Sequence, residues 1–129
     1  MRSWAAGLSC LFAGIGVDLD HFIDFWLNRG FSLDPRKLMD FCYHGSSARF
    51  LALFHGYEFI PVLWGIPAVL GRLDIAWGLA AGYTLHLIGD QLFNTHLCAW
   101  TYFFSFRWYH GFDSTRIVLR ICDERISKA

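Results

Sequence analysis

The stretch WAAGLSCLFAGIGVDLDHFIDFWL, Trp4 to Leu27, decides how this chain is read. Its first half, Trp4 to Val17, is almost free of polar groups, and its second half sets Asp18, Asp20, His21 and Asp24 into the same apolar frame. A run of this length has the reach of a bilayer-crossing helix, because about 20 apolar residues cover about 30 Å of hydrocarbon. Arg2 ahead of the run gives it a superficial likeness to a signal peptide. No small-x-small cleavage pattern leads into a polar mature start, and the acidic residues continue the segment, so a retained helix is expected. Asn28-Arg29-Gly30 supplies its stop.

Outward from that segment the apolar pattern repeats. A polar stretch from Arg29 to Arg49 precedes a second apolar segment, Phe50 to Leu70, closed by Gly71-Arg72. A third runs from about Asp74 to Thr95, and a short, very aromatic fourth from His96 to Tyr109. The second and third each have a membrane-crossing length; the fourth is short for a crossing and reads as a half-helix or interfacial piece. Pro61 and Pro67 predict a kink in the second. The expected fold is all-α, a small polytopic membrane bundle of three to four membrane helices over residues 1–112, followed by a charged tail, 113–129. Lys and Arg gather in the 29–49 loop and the tail, which places both on the cytoplasmic side.

Composition agrees with that class. Of 129 residues, 55% are apolar, 19% aromatic and only 17% charged, against about 25% charged in a typical soluble domain. A buried helical subunit of a larger soluble complex is the competing reading. Net charge is zero and no basic tract is interleaved with aromatics, so nucleic-acid binding has no electrostatic support. Cys10, Cys42, Cys98 and Cys122 form no CxxC pair, which argues against a thiolate zinc site or a redox dithiol and for buried, reduced thiols.

The ionisable residues inside the apolar segments carry the functional signal. At 100° per residue, Asp20, His21 and Asp24 share an arc of about 100°, and Asp18 lies about 60° beyond His21. Three carboxylates so placed repel one another in low dielectric unless a cation or proton compensates. The second segment holds His55 and Glu58 one turn apart; the third holds His86 and Asp90, spaced by four on one face. With helices alternating in direction, all three groups fall toward one side, about 8 to 14 Å inside the helix ends. Carboxylate oxygen with imidazole nitrogen suits zinc first, with manganese or iron as alternatives, and calcium least. The donors suffice for one ion with supporting groups or for two ions sharing a carboxylate. The bland readings are a His-x-x-x-Asp helix contact, a headgroup-facing helix end at Asp18 to Asp24, and loop positions for His44 and His110. Asn94 and His96 continue the Asp90 face as supporting or interfacial residues.

The order Asp18-x-Asp20-His21, then His55 and Glu58, then Gly82-Tyr83-x-x-His86-x-x-x-Asp90 resembles the family of membrane-bound, predicted metal-dependent hydrolases of bacteria and archaea. More distantly it is similar to the zinc-dependent phospholipase C group. The resemblance covers about residues 14–95. Val17 stands where the family usually has Pro, and its His-Arg-Gly-x-x-His-Ser element survives only as echoes in Tyr43-His44-Gly45-Ser46 and Phe54-His55-Gly56-Tyr57, leaving His44 and His55 both open as the ligand. The resemblance implies an integral membrane hydrolase of the inner (plasma) membrane, acting on a phosphoester or ester of a lipid or membrane-associated substrate. On that scheme Asp20, His55, His86 and Asp90 are direct ligands, Asp18 and Asp24 ligate or orient, His21 ligates or orients, and Glu58 is the general base. A proton- or ion-handling transporter component and a purely structural membrane subunit are the non-enzymatic alternatives; the absence of ionisable residues on the far side (Trp64, Leu70, Ile75, Trp77, Leu79) disfavours the first.

Overall fold

The computed structural model describes residues 4–44, 50–94, 97, 99–114 and 117. Among them the chain is helical and contains no strand: α1 (Trp4–Gly16), a 3₁₀ turn (Val17–Leu19), α2 (Asp20–Arg29), α3 (Pro35–His44), α4 (Phe59–Val69), α5 (Leu73–Phe93), a second 3₁₀ turn (Ala99–Tyr102) and α6 (Phe104–Tyr109). The first three run on as one rod, Trp4–Arg29, of 26 residues. Gly30, with φ of 87°, ends it, and the Gly30 N–H bonds back to the Trp26 carbonyl. Inside the polar 29–49 stretch α3 starts where Asp34 accepts the Arg36 N–H and Pro35 takes the first helical place, which needs no donor.

α1 lies against α5, and the contact depends on the absence of side chains. A Cβ on Gly78 would sit 2.3 Å from the Ala6 carbonyl oxygen, and one on Gly82 would sit 2.0 Å from that of Cys10. The Gly78-x-x-x-Gly82 spacing therefore lets two backbones touch, the device by which helices pack in membranes. The core beside it joins Ala13 and Val17 to Tyr83, Leu87 and Tyr102. Large apolar side chains point the other way: Trp4 is 85% exposed, Phe12 73% and Phe93 88%. Cys10, against Gly82, is a free thiol; the other three cysteine side chains lie outside the described residues.

Two expectations need correction. Among the described residues one helix, Trp4–Arg29, is long and apolar enough to cross a membrane, not three or four. α4 has 11 residues, about 16 Å of rise against about 30 Å of hydrocarbon. α5 has 21 residues but carries Asp74, His86 and Asp90, and the Ala99–Tyr102 turn and α6 are shorter still. The second apolar segment is also not helical from Phe50. Its amides are taken by acidic side chains: Asp24 accepts Leu51 and Ala52 N–H, Asp20 accepts Phe54 N–H, and the Tyr57 N–H goes to the Tyr102 carbonyl. Residues 50–58 are thus a tethered loop, and Ala52 holds a φ of 40°, a left-handed conformation of the kind that costs about 1–3 kcal/mol. Pro61 falls in the first turn of α4, where it is harmless, and Pro67 near its end. Beyond residue 112, Asp113 and Ser114 are half-buried and Ile117 is fully buried; the rest of the tail lies outside the described residues.

Gly82→Ala should destabilise the protein by about 1–3 kcal/mol or more, as overpacking does. Gly7→Ala, with open space around the new methyl, should be neutral or stabilising by about 0.5–1 kcal/mol. Denaturant unfolding in detergent micelles measures both, and equal effects at the two sites would contradict the close α1–α5 approach.

Candidate metal centre

Side chains from the 3₁₀ turn, the 50–58 loop and α5 converge on one point. His55 Nε2, His86 Nε2 and Asp90 Oδ2 form a triangle with sides of 3.4, 3.4 and 3.3 Å. Donor atoms held about 2.0–2.2 Å from a tetrahedral ion stand about 3.3–3.6 Å apart, whereas neighbouring donors of an octahedral ion at about 2.0–2.1 Å stand about 3 Å apart. The triangle matches one face of a tetrahedron. Asp18 Oδ1 stands over its His55–His86 edge, 3.7 Å from the first Nε2 and 3.3 Å from the second. Asp18, His21 and His55 form a second group whose donor atoms lie within 4.8 Å of one another. These His and Asp groups can hold a metal ion.

The 3₁₀ turn explains how Asp18 gets there. In an ideal α-helix Asp18 already stands about 60° from His21 on a shared face, and 3₁₀ winding moves residues three apart closer still to eclipse. Asp18 Oδ1 accordingly lies 3.8 Å from His21 Nε2. Asp18 is also the open side of the site, its side chain 57% exposed where that of His55 is 4%.

Asp20 and Asp24 act one step back. The buried Asp20 carboxylate accepts from His55 Nδ1 at 3.0 Å and from the Phe54 N–H at 2.7 Å, both on Oδ2. That bond places the proton on Nδ1 and turns the Nε2 lone pair toward His86 and Asp90. Asp20, expected as a direct ligand, uses Oδ2 to orient the His55 ring, while its buried Oδ1 has no hydrogen-bond partner. Asp24, expected to ligate or orient, spends both oxygens on the Leu51 and Ala52 amides. Tyr83 completes the hold on the loop: its hydroxyl lies within hydrogen-bonding distance of the Phe54 and Gly56 carbonyls and accepts the Gly56 N–H.

Glu58 was expected as general base, one helical turn from His55. Instead its carboxylate accepts the Phe104 N–H, the Ser105 N–H and the Ser105 hydroxyl, at 2.9, 2.9 and 2.7 Å, and so caps α6. Burial would raise the Glu58 pKa, but these three donors outweigh it and hold the carboxyl below its ordinary range. His55 and Glu58 share no helical face, because α4 begins after both. Of the two histidines left open by the sequence, His55 is in the cluster; the His44 side chain and His96 lie outside the described residues. His110 follows α6 and rests against Phe106.

Arg107 is the residue that sequence reasoning did not connect with this cluster. Its side chain is wholly buried, with Nη1 donating to the His55 and Thr101 carbonyls and Nη2 to Ala52. Burial lowers its pKa, while the negative charges of Glu58, Asp20 and Asp24 support the guanidinium. One cation thus fixes the backbone around the His55 imidazole. The only hint in the sequence is a lone arginine inside an aromatic run.

Comparison of the chain with protein-family models, with curated proteins and with solved structures finds no match.

Asp20→Asn should weaken metal binding by about 10–100-fold, the usual effect of losing a group that orients a ligand; competition titration against a chelating dye reads it, and unaltered affinity would refute the aiming role. For Glu58→Gln the sign follows from the lowered pKa: the carboxylate stabilises the fold above its unfolded value and that contribution fades as pH falls through the folded one. The variant should be less stable than wild type at pH 7, and the gap should close as pH drops below 4.5. Unfolding curves across pH test this, a constant gap being the adverse result.

Proposed function

We propose that this chain is an integral membrane, metal-dependent hydrolase whose resident ion is held by His55, His86 and Asp90. The observation that carries the reading is the 3.3–3.4 Å triangle of those donors. Two imidazoles and a carboxylate, with a further position left for water or substrate, are the donor set of catalytic zinc, with manganese or iron the next choices. When bound, such an ion supplies the positive charge that polarises an ester or phosphoester and makes water a competent nucleophile near neutral pH.

The protein's own residues supply the rest. Asp20 and Arg107 keep His55 rigid, so the donor geometry is prepared before any ion arrives. Asp18, on the exposed side and within reach of both imidazoles, takes over the role first assigned to Glu58: Oδ1 is the carboxylate oxygen placed to accept a proton from attacking water. Asp90 balances charge from within the cluster.

A membrane setting is supported by the 26-residue apolar helix, by the inverted arrangement of small residues inside and large apolar ones outside, and by the backbone contact at Gly78 and Gly82. The metal groups lie on α5 and on the loop that the rod's Asp20 and Asp24 hold, with the exposed Asp18 beside them, and a substrate of the membrane surface would meet them there. The substrate class we favour is a phosphoester or ester of a lipid or of a membrane-associated molecule.

Protein purified in detergent should carry about one divalent ion per chain and hydrolyse a chromogenic phosphoester or ester in a metal-dependent manner. Chelation should abolish turnover and zinc or manganese restore it. Asp90→Ala should lose the bound ion by elemental analysis while keeping its helical content. Full metal occupancy in that variant, or turnover indifferent to chelation, would remove the basis of the reading.

A further inference from the structure

α3 is a two-faced helix. Over residues 35–41, at about 100° per residue, Arg36, Asp40 and Lys37 share an arc of about 100°, and Phe41, Leu38, Pro35 and Met39 take an arc of about 160° opposite. The apolar arc is covered on one side. There the Phe41 ring meets Phe25 of the rod edge-on, with centroids 5.6 Å apart, and Leu38 beside it is half-buried. Met39, at the other edge, is 55% exposed, and the linker before the helix adds Phe31 and Leu33, 76% and 67% exposed.

The linker fixes where this surface lies. Trp26, in the last turn of the rod, donates its indole N–H to the Ser32 carbonyl at 2.8 Å, and its ring packs on Phe31 with centroids 4.9 Å apart. With the Phe25–Phe41 contact, this binds linker and α3 to the rod about 4 to 6 Å from its end. The 26-residue rod rises about 39 Å, more than the about 30 Å of hydrocarbon it would cross. Its last turn therefore stands among lipid headgroups, the level that Trp favours, and α3 stands beside it. Three cations gather there, Arg29 at the rod's end and the exposed Arg36 and Lys37. Of the two carboxylates among them, Asp34 has one oxygen committed to the Arg36 N–H. Arginine and lysine can lay their stems along an apolar boundary and keep their charged heads among phosphates.

We propose that α3 lies along the bilayer surface as an interfacial anchor, with Met39 entering the acyl boundary and Arg36 and Lys37 meeting phospholipid phosphates. Amphipathic helices with basic polar faces bind bilayers in this way. The inference rests on the membrane reading of the rod and is independent of the metal donors. It gives the protein a lipid-binding face on the half of the rod that carries Asp18, Asp20 and Asp24.

Met39 is its own probe, because a thioether in contact with water is oxidised to the sulfoxide. The full chain is placed in nanodiscs of phosphatidylcholine and phosphatidylglycerol, one chain to a disc, so that neither sidedness nor a second copy can shield it. Chloramine T is the oxidant, and peptide mass spectrometry follows Met39 against a free methionine peptide in the same sample. Seated in the bilayer surface, Met39 should oxidise roughly tenfold more slowly than the peptide. Arg36→Gln combined with Lys37→Gln alters exposed side chains and should keep the helical content, while Met39 oxidises about fivefold faster than in wild type. A wild-type rate within about twofold of the free peptide, as its exposure of 55% gives when nothing covers it, would overturn the anchor. Slow oxidation unaltered in the double variant would overturn the contact with phosphates. A chain that leaves the discs in an alkaline wash would overturn the membrane reading of the rod, on which the anchor depends.

Discussion

Two aspartates on one helix hold the backbone of a distant loop, and the rest of the site depends on that grip. Asp24 takes the amides of Leu51 and Ala52, and Asp20 takes that of Phe54, across 27 to 34 residues of sequence. An amide given to a carboxylate cannot join a helix ladder, so the apolar run from Phe50 stays unwound until Phe59. Unwinding lets His55 fold back toward α5. Charge-assisted bonds to buried amides are among the stronger hydrogen bonds available to a protein, which is what allows a left-handed Ala52 to be tolerated.

Positive charge closes the same loop from the other side. Arg107 donates to the Ala52, His55 and Thr101 carbonyls, while Asp20 and Asp24 hold the amides between them. Donors and acceptors of one short segment are therefore satisfied by side chains of opposite sign from opposite ends of the chain. Glu58 extends the arrangement by capping α6, the helix that carries Arg107. A carboxylate that resembles a general base in the sequence thus supports the residue that fixes the backbone of His55.

The α1–α5 contact sets the scale on which this works. Because Gly78 and Gly82 admit the α1 backbone, Asp18 on the rod and His86 on α5 come within 3.3 Å. Bulkier residues there would hold the two helices apart and open the donor triangle's approach to Asp18. The 3₁₀ turn at Val17–Leu19 provides the remaining adjustment, moving Asp18 toward the His21 side of the rod.

Local pattern was enough for the helical class, the apolar rod from Trp4, the extent of α5 and the meeting of Asp18, Asp20, His21, His55, His86 and Asp90. Those follow from local patterns: length, periodicity and the cost of ionisable groups in an apolar frame. It did not determine how many segments could cross a membrane, where α4 begins, or the division of labour among carboxylates. Asp20 and Asp90 look alike in a periodic pattern, yet one aims an imidazole and the other faces the site, because the first is buried beside a loop with free amides and the second is not. Glu58 and Arg107 changed meaning for the same reason. A hydrogen bond between residues dozens of positions apart leaves no trace in local periodicity; only the tertiary structure decides which carboxylate is spent on backbone and which remains for a metal.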